Sequence, residues 1–224
     1  MSRAEYMREY RARRKQRGEP VPRGSKSASG RGVTKWRNGR FIAWDGEGVD
    51  TGRKIDAATN EHRMTLFANS DGVSVYDAAG LHTATLLDMF LSSAASNPTA
   101  IHVIYSGGYD FIHALHDLSF TELQTLAKTG EVSYRHYTIK YIPRKSFYVR
   151  NDRTRNAVTI WDVIGFFQSS FVVTIEKWLG ADYADLPMIE AGKLQRSHFA
   201  GQSLDYIREY NDAELRALVL ICER

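Results

Sequence analysis

Residues 41–224 are predicted to fold into a mixed α/β domain, and two patterns support this class. Short runs of apolar and β-branched residues, typical of strands, alternate with stretches whose apolar residues recur at helical spacing. With 224 residues, 43% of them hydrophobic and 25% charged, the chain has the size and composition of a packed globular protein with one substantial core. No apolar run approaches the roughly 18 residues of a membrane span. We therefore expect a soluble protein without a membrane partner.

The predicted elements begin with three strands, at 41–45, 63–68 and 73–76, that form a β-meander. Thr83 is placed to cap a helix whose apolar residues share one face. The remaining predicted elements are strands at 100–105, 132–142, 146–150 and 157–163, a helix beginning near Tyr109, and helices at 169–179 and 203–223.

Positive charge is concentrated at the N-terminus. Residues 1–40 hold 13 of the 30 Lys and Arg and 3 of the 26 Asp and Glu, which gives this segment a charge of +10. The other 17 basic and 23 acidic residues give the remainder a charge of −6. Prolines, glycines and serines at 20–32 interrupt regular structure, so residues 1–40 are predicted to form a flexible basic arm. Such an arm suits nucleic-acid phosphates, and a solvated tail with no specific role is the alternative.

Carboxylates follow two of the predicted strands. Asp45 and Glu47 lie two residues apart, so their side chains share one face if the first strand continues, with Gly46 leaving space for a substrate backbone. Asp110 lies at the start of a predicted helix, where the helix dipole favours an ionised carboxylate, and the preceding Gly107-Gly108 allows a sharp turn and the close passage of a nucleic-acid strand. Taken singly, the Asp-x-Glu also fits a solvated turn and Asp110 a helix cap. Together they are the hard oxygen ligands that divalent cations require.

The order and spacing of these pieces resemble the proofreading 3'-5' exonuclease domain of family-B DNA polymerases, nearest the protein-primed phage and plasmid branch. Residues 41–47 (FIAWDGE) resemble the first exonuclease motif, and residues 105–110 (YSGGYD) resemble the second. The third motif pairs a Tyr with an acid four residues later, as Tyr210 and Glu214 do. Residues 161–170 resemble the strand-to-helix segment between the second and third motifs. The resemblance covers residues 41–224 and implies an RNase H-like fold, a mixed β-sheet flanked by helices.

The resemblance also implies a two-metal mechanism for hydrolysis of a DNA strand, with two Mg²⁺ or Mn²⁺ ions about 4 Å apart. The implied metal ligands are Asp45, Glu47, Asp110 and Glu214. Tyr210 would orient the attacking water. The implied contacts to single-stranded DNA come from Tyr105, Ser106 and Tyr109, although core packing is an equal alternative for Tyr105.

Two departures from the family pattern leave alternatives open. Ser106 stands where the family has Asn. Because the Ser side chain is shorter, we expect weaker binding of the DNA strand. The third motif normally ends in Asp, so Asp212 is the alternative metal ligand to Glu214. On a continuous helix Glu214 lies about 40° from Tyr210 and Asp212 about 200°, which favours Glu214. A helix that starts afresh with Asn211 and Glu214 as a capping pair would instead favour Asp212.

Other basic and imidazole side chains give weaker signals. Lys193 is either the counterpart of a lysine that the protein-primed branch uses near its exonuclease site or, as we favour here, an ordinary surface lysine. His113 and His116 are three residues apart without a Cys or a fourth ligand, which predicts helix-surface histidines and not a zinc site.

The expected function is a metal-dependent 3'-5' exonuclease that removes nucleotides from the 3' end of single-stranded DNA, as the proofreading part of a replicative family-B DNA polymerase. The chain contains no recognisable polymerase palm motif, so a polymerase domain C-terminal to this chain would be a partner, and a stand-alone nuclease is the alternative. A non-catalytic DNA-binding module on an RNase H-like scaffold is the candidate from another class. The single Cys222, with apolar neighbours, predicts a buried thiol and a reducing cytoplasm, that of a bacterium or of a phage or plasmid host.

Overall fold

The computed structural model describes residues 39–56 and 59–224, and of residues 196–198 the backbone alone. The strands of this part are β1 (Phe41–Lys54), β2 (Asn60–Asn69), β3 (Ser74–Tyr76), β4 (Ile101–Ile104), β5 (Glu131–Tyr134), β6 (Tyr137–Ile142), β7 (Ser146–Asn151) and β8 (Ala157–Asp162). The helices are α1 (Thr83–Ser96), α2 (Gly108–Ala114), α3 (Phe120–Thr129), α4 (Ile164–Phe167), α5 (Phe171–Leu179), α6 (Leu186–Gln195), a 3-10 helix (Arg196–Gly201) and α7 (Leu204–Cys222).

The eight strands form one mixed sheet in the order β3-β2-β1-β4-β8-β7-β6-β5. β4 lies between β1 and β8 and pairs parallel with both, whereas the other pairs are antiparallel. Trp44 is level with Ile104, and Ile104 is level with Asp162. The segments that follow these three residues therefore meet at one edge of the parallel part of the sheet.

Helices cover both faces of the sheet because neighbouring strand residues point to opposite sides. On one side Trp44 belongs to a core that includes α1, where its ring meets Phe90 edge-on at 5.0 Å. On the other side Ala43 packs with Ile175 of α5 and Leu218 of α7. The molecule is thus an α/β fold with a mixed sheet flanked by helices, as the sequence predicts.

The predicted meander is confirmed by the order β3-β2-β1, and β1 is longer than predicted, since it continues to Lys54. The single strand predicted at 132–142 is wrong, because β5 and β6 form a hairpin with Arg135 at φ +54° in its turn. The prediction that Thr83 caps α1 is also wrong. His82 is the residue before the helix, and Thr83 is its first residue.

Three further features bear on the remaining sequence predictions. The predicted arm lies outside the described residues apart from Gly39 and Arg40, and Arg40 donates hydrogen bonds to both carboxylate oxygens of Asp71, at 2.8 and 2.7 Å.

No helix within 39–56 or 59–224 has the length and apolar character to cross a membrane. Cys222 is half-buried at the end of α7, and burial raises the pKa of its thiol to about 12.

Candidate active site

A cavity of about 550 Å³ opens where the segments after Trp44 and Ile104 meet α7. Four of its lining residues are the acids that the sequence predicts as metal ligands: Asp45, Glu47, Asp110 and Glu214. The three predicted DNA-contacting residues, Tyr105, Ser106 and Tyr109, also line it. The further lining residues include His62, Phe171 and Lys193.

Three of the four carboxylates converge closely. Asp45, Glu47 and Glu214 each offer an oxygen, and these three atoms lie within 4.8 Å of one another. Glu47 and Glu214 are only 3% and 4% exposed. Because β1 continues past Asp45, Asp45 and Glu47 share the face that α7 covers. Asp110 lines the same cavity from the first turn of α2 but is outside this close group.

Helix α7 supplies Glu214 without any interruption. It runs from Leu204 to Cys222 as one helix, so the capping pair that would restart the helix at Asn211 is not formed. Asn211 instead donates a hydrogen bond from Nδ2 to Asp45 Oδ2, at 3.0 Å. Glu214, one turn later, reaches the cluster, whereas Asp212 is exposed and lies outside it. The sequence offered one signal for Asn211, its position three residues before Glu214 on the same helical face.

Lys193 lies in the site and is not an ordinary surface lysine. Its Nζ donates to Glu214 Oε1 at 2.5 Å and also lies 5.3 Å from the ring centroid of Phe171. Its side chain is 28% exposed. The ammonium group therefore offsets part of the negative charge that the three carboxylates bring together.

The loop before Asp110 is held by a carboxylate that our sequence reasoning did not single out. Asp162, at the end of β8, accepts hydrogen bonds from the backbone N–H groups of Ser106, Gly107 and Ile164, at 2.9, 3.1 and 3.1 Å. Ser106 has φ +58°, which is costly for a residue with a side chain. The hydrogen bonds from Ser106 and Gly107 help to hold the loop in that conformation and so fix the start of α2, while the one from Ile164 helps to orient the Asp162 carboxylate.

Packing of the core explains one glycine in each of the first two motifs. A Cβ at Gly46 would overlap the side chains of Met64 and Phe67, which belong to the core. A Cβ at Gly107 would overlap Ile104 and Phe111 in the same way. Close packing requires these two glycines, and the left-handed backbone of the turn falls on Ser106 and on neither glycine of the pair.

The two tyrosines of the second motif have different surroundings. Tyr105 is half-buried: its hydroxyl donates to the carbonyl of Ser169 at 2.8 Å, and its ring packs on Phe171. Tyr109 is 41% exposed at the rim of the cavity, where its ring lies 4.2 Å from that of His113. Burial, and then the nearby His62 and His116, lower the pKa of His113. The lowered pKa favours the uncharged imidazole of His113 beside the ring of Tyr109.

Tyr210, the predicted water-orienting residue, is fully buried. Its ring packs edge-on against Phe199 at 5.5 Å and lies directly over Gly192 of α6, where any side chain would overlap it. Tyr210 belongs to a small core with Leu66 and Ile207, and it is not among the described residues that line the cavity. Of the nine predicted site residues, counting Asp212 as the alternative, seven line the cavity, while Tyr210 and Asp212 do not.

Comparison of the chain with family models, with curated proteins and with solved structures gave no match. The inference about function therefore rests on the geometry of the cavity and on the chemistry of the residues that line it.

Proposed function

We propose that this chain is a metal-dependent 3'-5' exonuclease with an RNase H-like fold that removes nucleotides from the 3' end of single-stranded DNA. The observation that carries the proposal is the close convergence of Asp45, Glu47 and Glu214 in an open cavity that Asp110 also lines. Buried carboxylates so close together repel one another strongly unless a cation offsets their charge. The mixed sheet, with a parallel centre and helices on both faces, is compatible with the RNase H-like fold.

The ligand set fits Mg²⁺ or Mn²⁺. All the donors are carboxylate oxygens, which hard divalent cations prefer over nitrogen or sulfur. Asp45, Glu47 and Glu214 would hold one ion, and Asp110 with Asp45 would hold a second. Ions at these positions supply a water of lowered pKa and stabilise the leaving oxygen of the cleaved phosphodiester.

The chain's own residues would prepare the site for that chemistry. Asn211 holds the Asp45 carboxylate through its amide N–H and so fixes which oxygen faces the cavity. Lys193 holds Glu214 and keeps a positive charge beside the point where a phosphate would enter. These two contacts orient ligands from α7 and β1 before a substrate binds.

The rim of the cavity suits a single nucleic-acid strand. Tyr109 exposes 41% of its surface beside the carboxylates and offers a ring on which a terminal base can stack, an interaction worth about 1–3 kcal/mol. The hydroxyl of Tyr105 is already bound to Ser169, so its contribution would come from the face of its ring. Ser106 is exposed at the turn, where its hydroxyl can reach the backbone of the strand.

The test is the digestion of a 5'-labelled single-stranded oligonucleotide with Mg²⁺, with Mn²⁺ and with excess EDTA. We expect a ladder of products that shortens from the 3' end and depends on the metal. Asp45→Asn is expected to lower the rate at least about 1,000-fold, equivalent to about 4 kcal/mol of activation free energy, because both ions lose a ligand. Asp212→Asn, which removes an exposed carboxylate from the same helix, is the matched control and should keep nearly full activity.

Three further substrates sharpen the result. A circular single strand should stay intact if cleavage needs a 3' end, and an RNA of the same sequence reports sugar preference. An oligonucleotide with a blocked 3' terminus should be degraded slowly. Cleavage that proceeds equally in EDTA, or that survives Asp45→Asn, would refute the proposal. Binding without any cleavage would instead support a non-catalytic DNA-binding module.

A further inference from the structure

A second group of side chains that could hold a metal ion lies outside the cavity, between the start of α1 and the segment that follows α2. His82 precedes α1, and His116 and Asp117 follow α2, 34 and 35 residues later in the sequence. One ligand atom from each of the three lies within 4.8 Å of the others. His82 Nδ1 is 3.3 Å from Asp117 Oδ2, and His116 Nε2 is 3.0 Å from Asp117 Oδ1.

A hydrogen bond of His116 to the backbone determines which of its two ring nitrogens carries the proton. His116 Nδ1 lies 3.1 Å from the carbonyl oxygen of His113. A carbonyl oxygen can only accept, so Nδ1 must carry the proton in this contact. A histidine that donates one ring N–H to a backbone carbonyl and directs its other nitrogen outward has the arrangement that metal-bound histidines almost always show.

The remaining contacts leave lone pairs facing one another. In the uncharged ring, His116 Nε2 offers a lone pair, and so does Asp117 Oδ1, only 3.0 Å away. A cation has to lie between two such atoms, either a proton or a metal ion. His82 approaches the other oxygen of the same carboxylate, and the two imidazole rings are nearly parallel at 6.3 Å. Two protonated rings at this distance repel each other, whereas one divalent ion serves all three ligands.

Backbone contacts hold the carboxylate in place. The backbone N–H of Thr83 donates to Asp117 Oδ2 at 2.8 Å, and Thr83 Oγ1 accepts from the backbone N–H of Asp117 at 3.2 Å. This reciprocal pair joins the first residue of α1 to the segment after α2. The carboxylate is thus oriented by the fold, independently of the two histidines.

We propose that His82, His116 and Asp117 form a binding site for Zn²⁺, separate from the carboxylate cluster of the cavity. Two imidazole nitrogens and one carboxylate oxygen are ligands that suit Zn²⁺, and a fourth position stays open to water. The hard Mg²⁺ ion, which prefers oxygen ligands, would be the poorer occupant of this site. Bound Zn²⁺ would hold α1 and the segment after α2 together. Helix α2 carries Asp110 in its first turn.

The site does not depend on the proposed nuclease activity, and its test reads binding and stability instead of DNA cleavage. The full chain is stripped of metal with a chelating resin and then titrated with ZnCl₂ by calorimetry in excess Mg²⁺, which occupies sites built from oxygen ligands. We expect one Zn²⁺ ion per chain and an increase in the melting temperature on binding. His82→Ala and His116→Ala should each weaken Zn²⁺ binding at least about 10-fold. Replacing a residue that merely hydrogen-bonds to a metal ligand already lowers metal affinity by about that factor, and these changes remove a ligand itself.

His136→Ala is the matched control, since His136 packs on Tyr137 in the hairpin turn and is not part of the group. Both cluster histidines are well exposed, with side chains 73% and 46% accessible, so their replacement should leave the fold intact. Long-range ¹H–¹⁵N spectra give a second measurement: Zn²⁺ should shift Nε2 of His116 and leave its Nδ1 protonated. Unchanged Zn²⁺ affinity in both variants would overturn the proposal, as would loss of zinc binding in Asp45→Asn alone.

Discussion

Replacing Glu47 by Gln should have opposite effects on stability without and with a divalent cation. Glu47 is 3% exposed and shares the cluster with Asp45 and Glu214, whose ligand oxygens lie within 4.8 Å. In EDTA the substitution removes one of three mutually repelling carboxylates and keeps the shape of the side chain. In Mg²⁺ it removes a ligand. We therefore expect Glu47→Gln to be more stable than the wild type in EDTA and to lose the stabilisation that Mg²⁺ gives the wild type.

The size of the effect follows from the geometry. Two unit charges 4.8 Å apart repel by about 3.5 kcal/mol at an effective dielectric constant of about 20. Glu47 faces two such charges, while the ammonium of Lys193 beside Glu214 offsets roughly one of them. Asp45 is only half-buried, so solvent screens part of the remainder. We expect a gain of about 1–3 kcal/mol in the free energy of unfolding in EDTA, or about 2–12 °C in melting temperature for a domain of this size.

The assay is thermal unfolding followed by circular dichroism, in EDTA and over a range of Mg²⁺ concentrations. Asp212→Asn is the control, because it removes an exposed acid from the same helix that carries Glu214 and should stay within about 0.5 kcal/mol of the wild type in both conditions. A Glu47→Gln protein that is less stable than the wild type in EDTA, and that gains as much from Mg²⁺ as the wild type does, would show that the cluster is not a cation site.

Three further measurements test other parts of the molecule. Burial lowers the pKa of His102 to about 4 from its ordinary 6.5, so the folded chain binds fewer protons than the unfolded chain between these values. The free energy of unfolding should therefore fall by about 2–3 kcal/mol as the pH drops from 6.5 to 4. In urea titrations, His102→Asn should make the free energy of unfolding less dependent on pH in this range. Gly192→Ala should lower the free energy of unfolding by about 1–3 kcal/mol, because the added methyl group overlaps the ring of Tyr210; Gly201→Ala, where no atom lies within 4 Å, should change it little. Deleting residues 1–38 should weaken DNA binding most at low salt and leave single-turnover rates at saturating DNA unchanged; an unchanged salt dependence would mean that the basic segment does not touch DNA.

The sequence predicted the elements that have a strong local signal. Short apolar runs marked the strands around Asp45. The Tyr210-to-Glu214 spacing favoured Glu214 over Asp212, and Glu214 is the acid of α7 that lies with Asp45 and Glu47. The hairpin of β5 and β6 was missed because its turn is Arg135-His136, with none of the Gly, Asn or Asp residues that usually mark a two-residue turn.

Two of the longer helices were missed for different reasons. Helix α3 begins with a capping box in which Ser119 and Glu122 bond reciprocally to the backbone, a pattern that the sequence does contain. Helix α6 holds Gly192 in its interior, and an interior glycine argues against a helix when the sequence is read locally. Its Gly192 is explained only by the ring of Tyr210, which approaches from a different helix.

The same dipeptide, Trp-Asp, ends the predicted part of β1 and the whole of β8, yet the two aspartates have different roles. The register of the sheet places Trp44, and not Asp45, level with Asp162. Because side chains alternate between faces, this offset of one residue directs Asp45 towards α7 and the carboxylate cluster, and Asp162 towards the loop at Ser106. Three backbone N–H groups donate to the Asp162 carboxylate, whereas Asp45 lies beside two other acids, where we propose that a cation binds. A register is set by the whole sheet, so no local motif could assign one aspartate to the carboxylate cluster and the other to the loop.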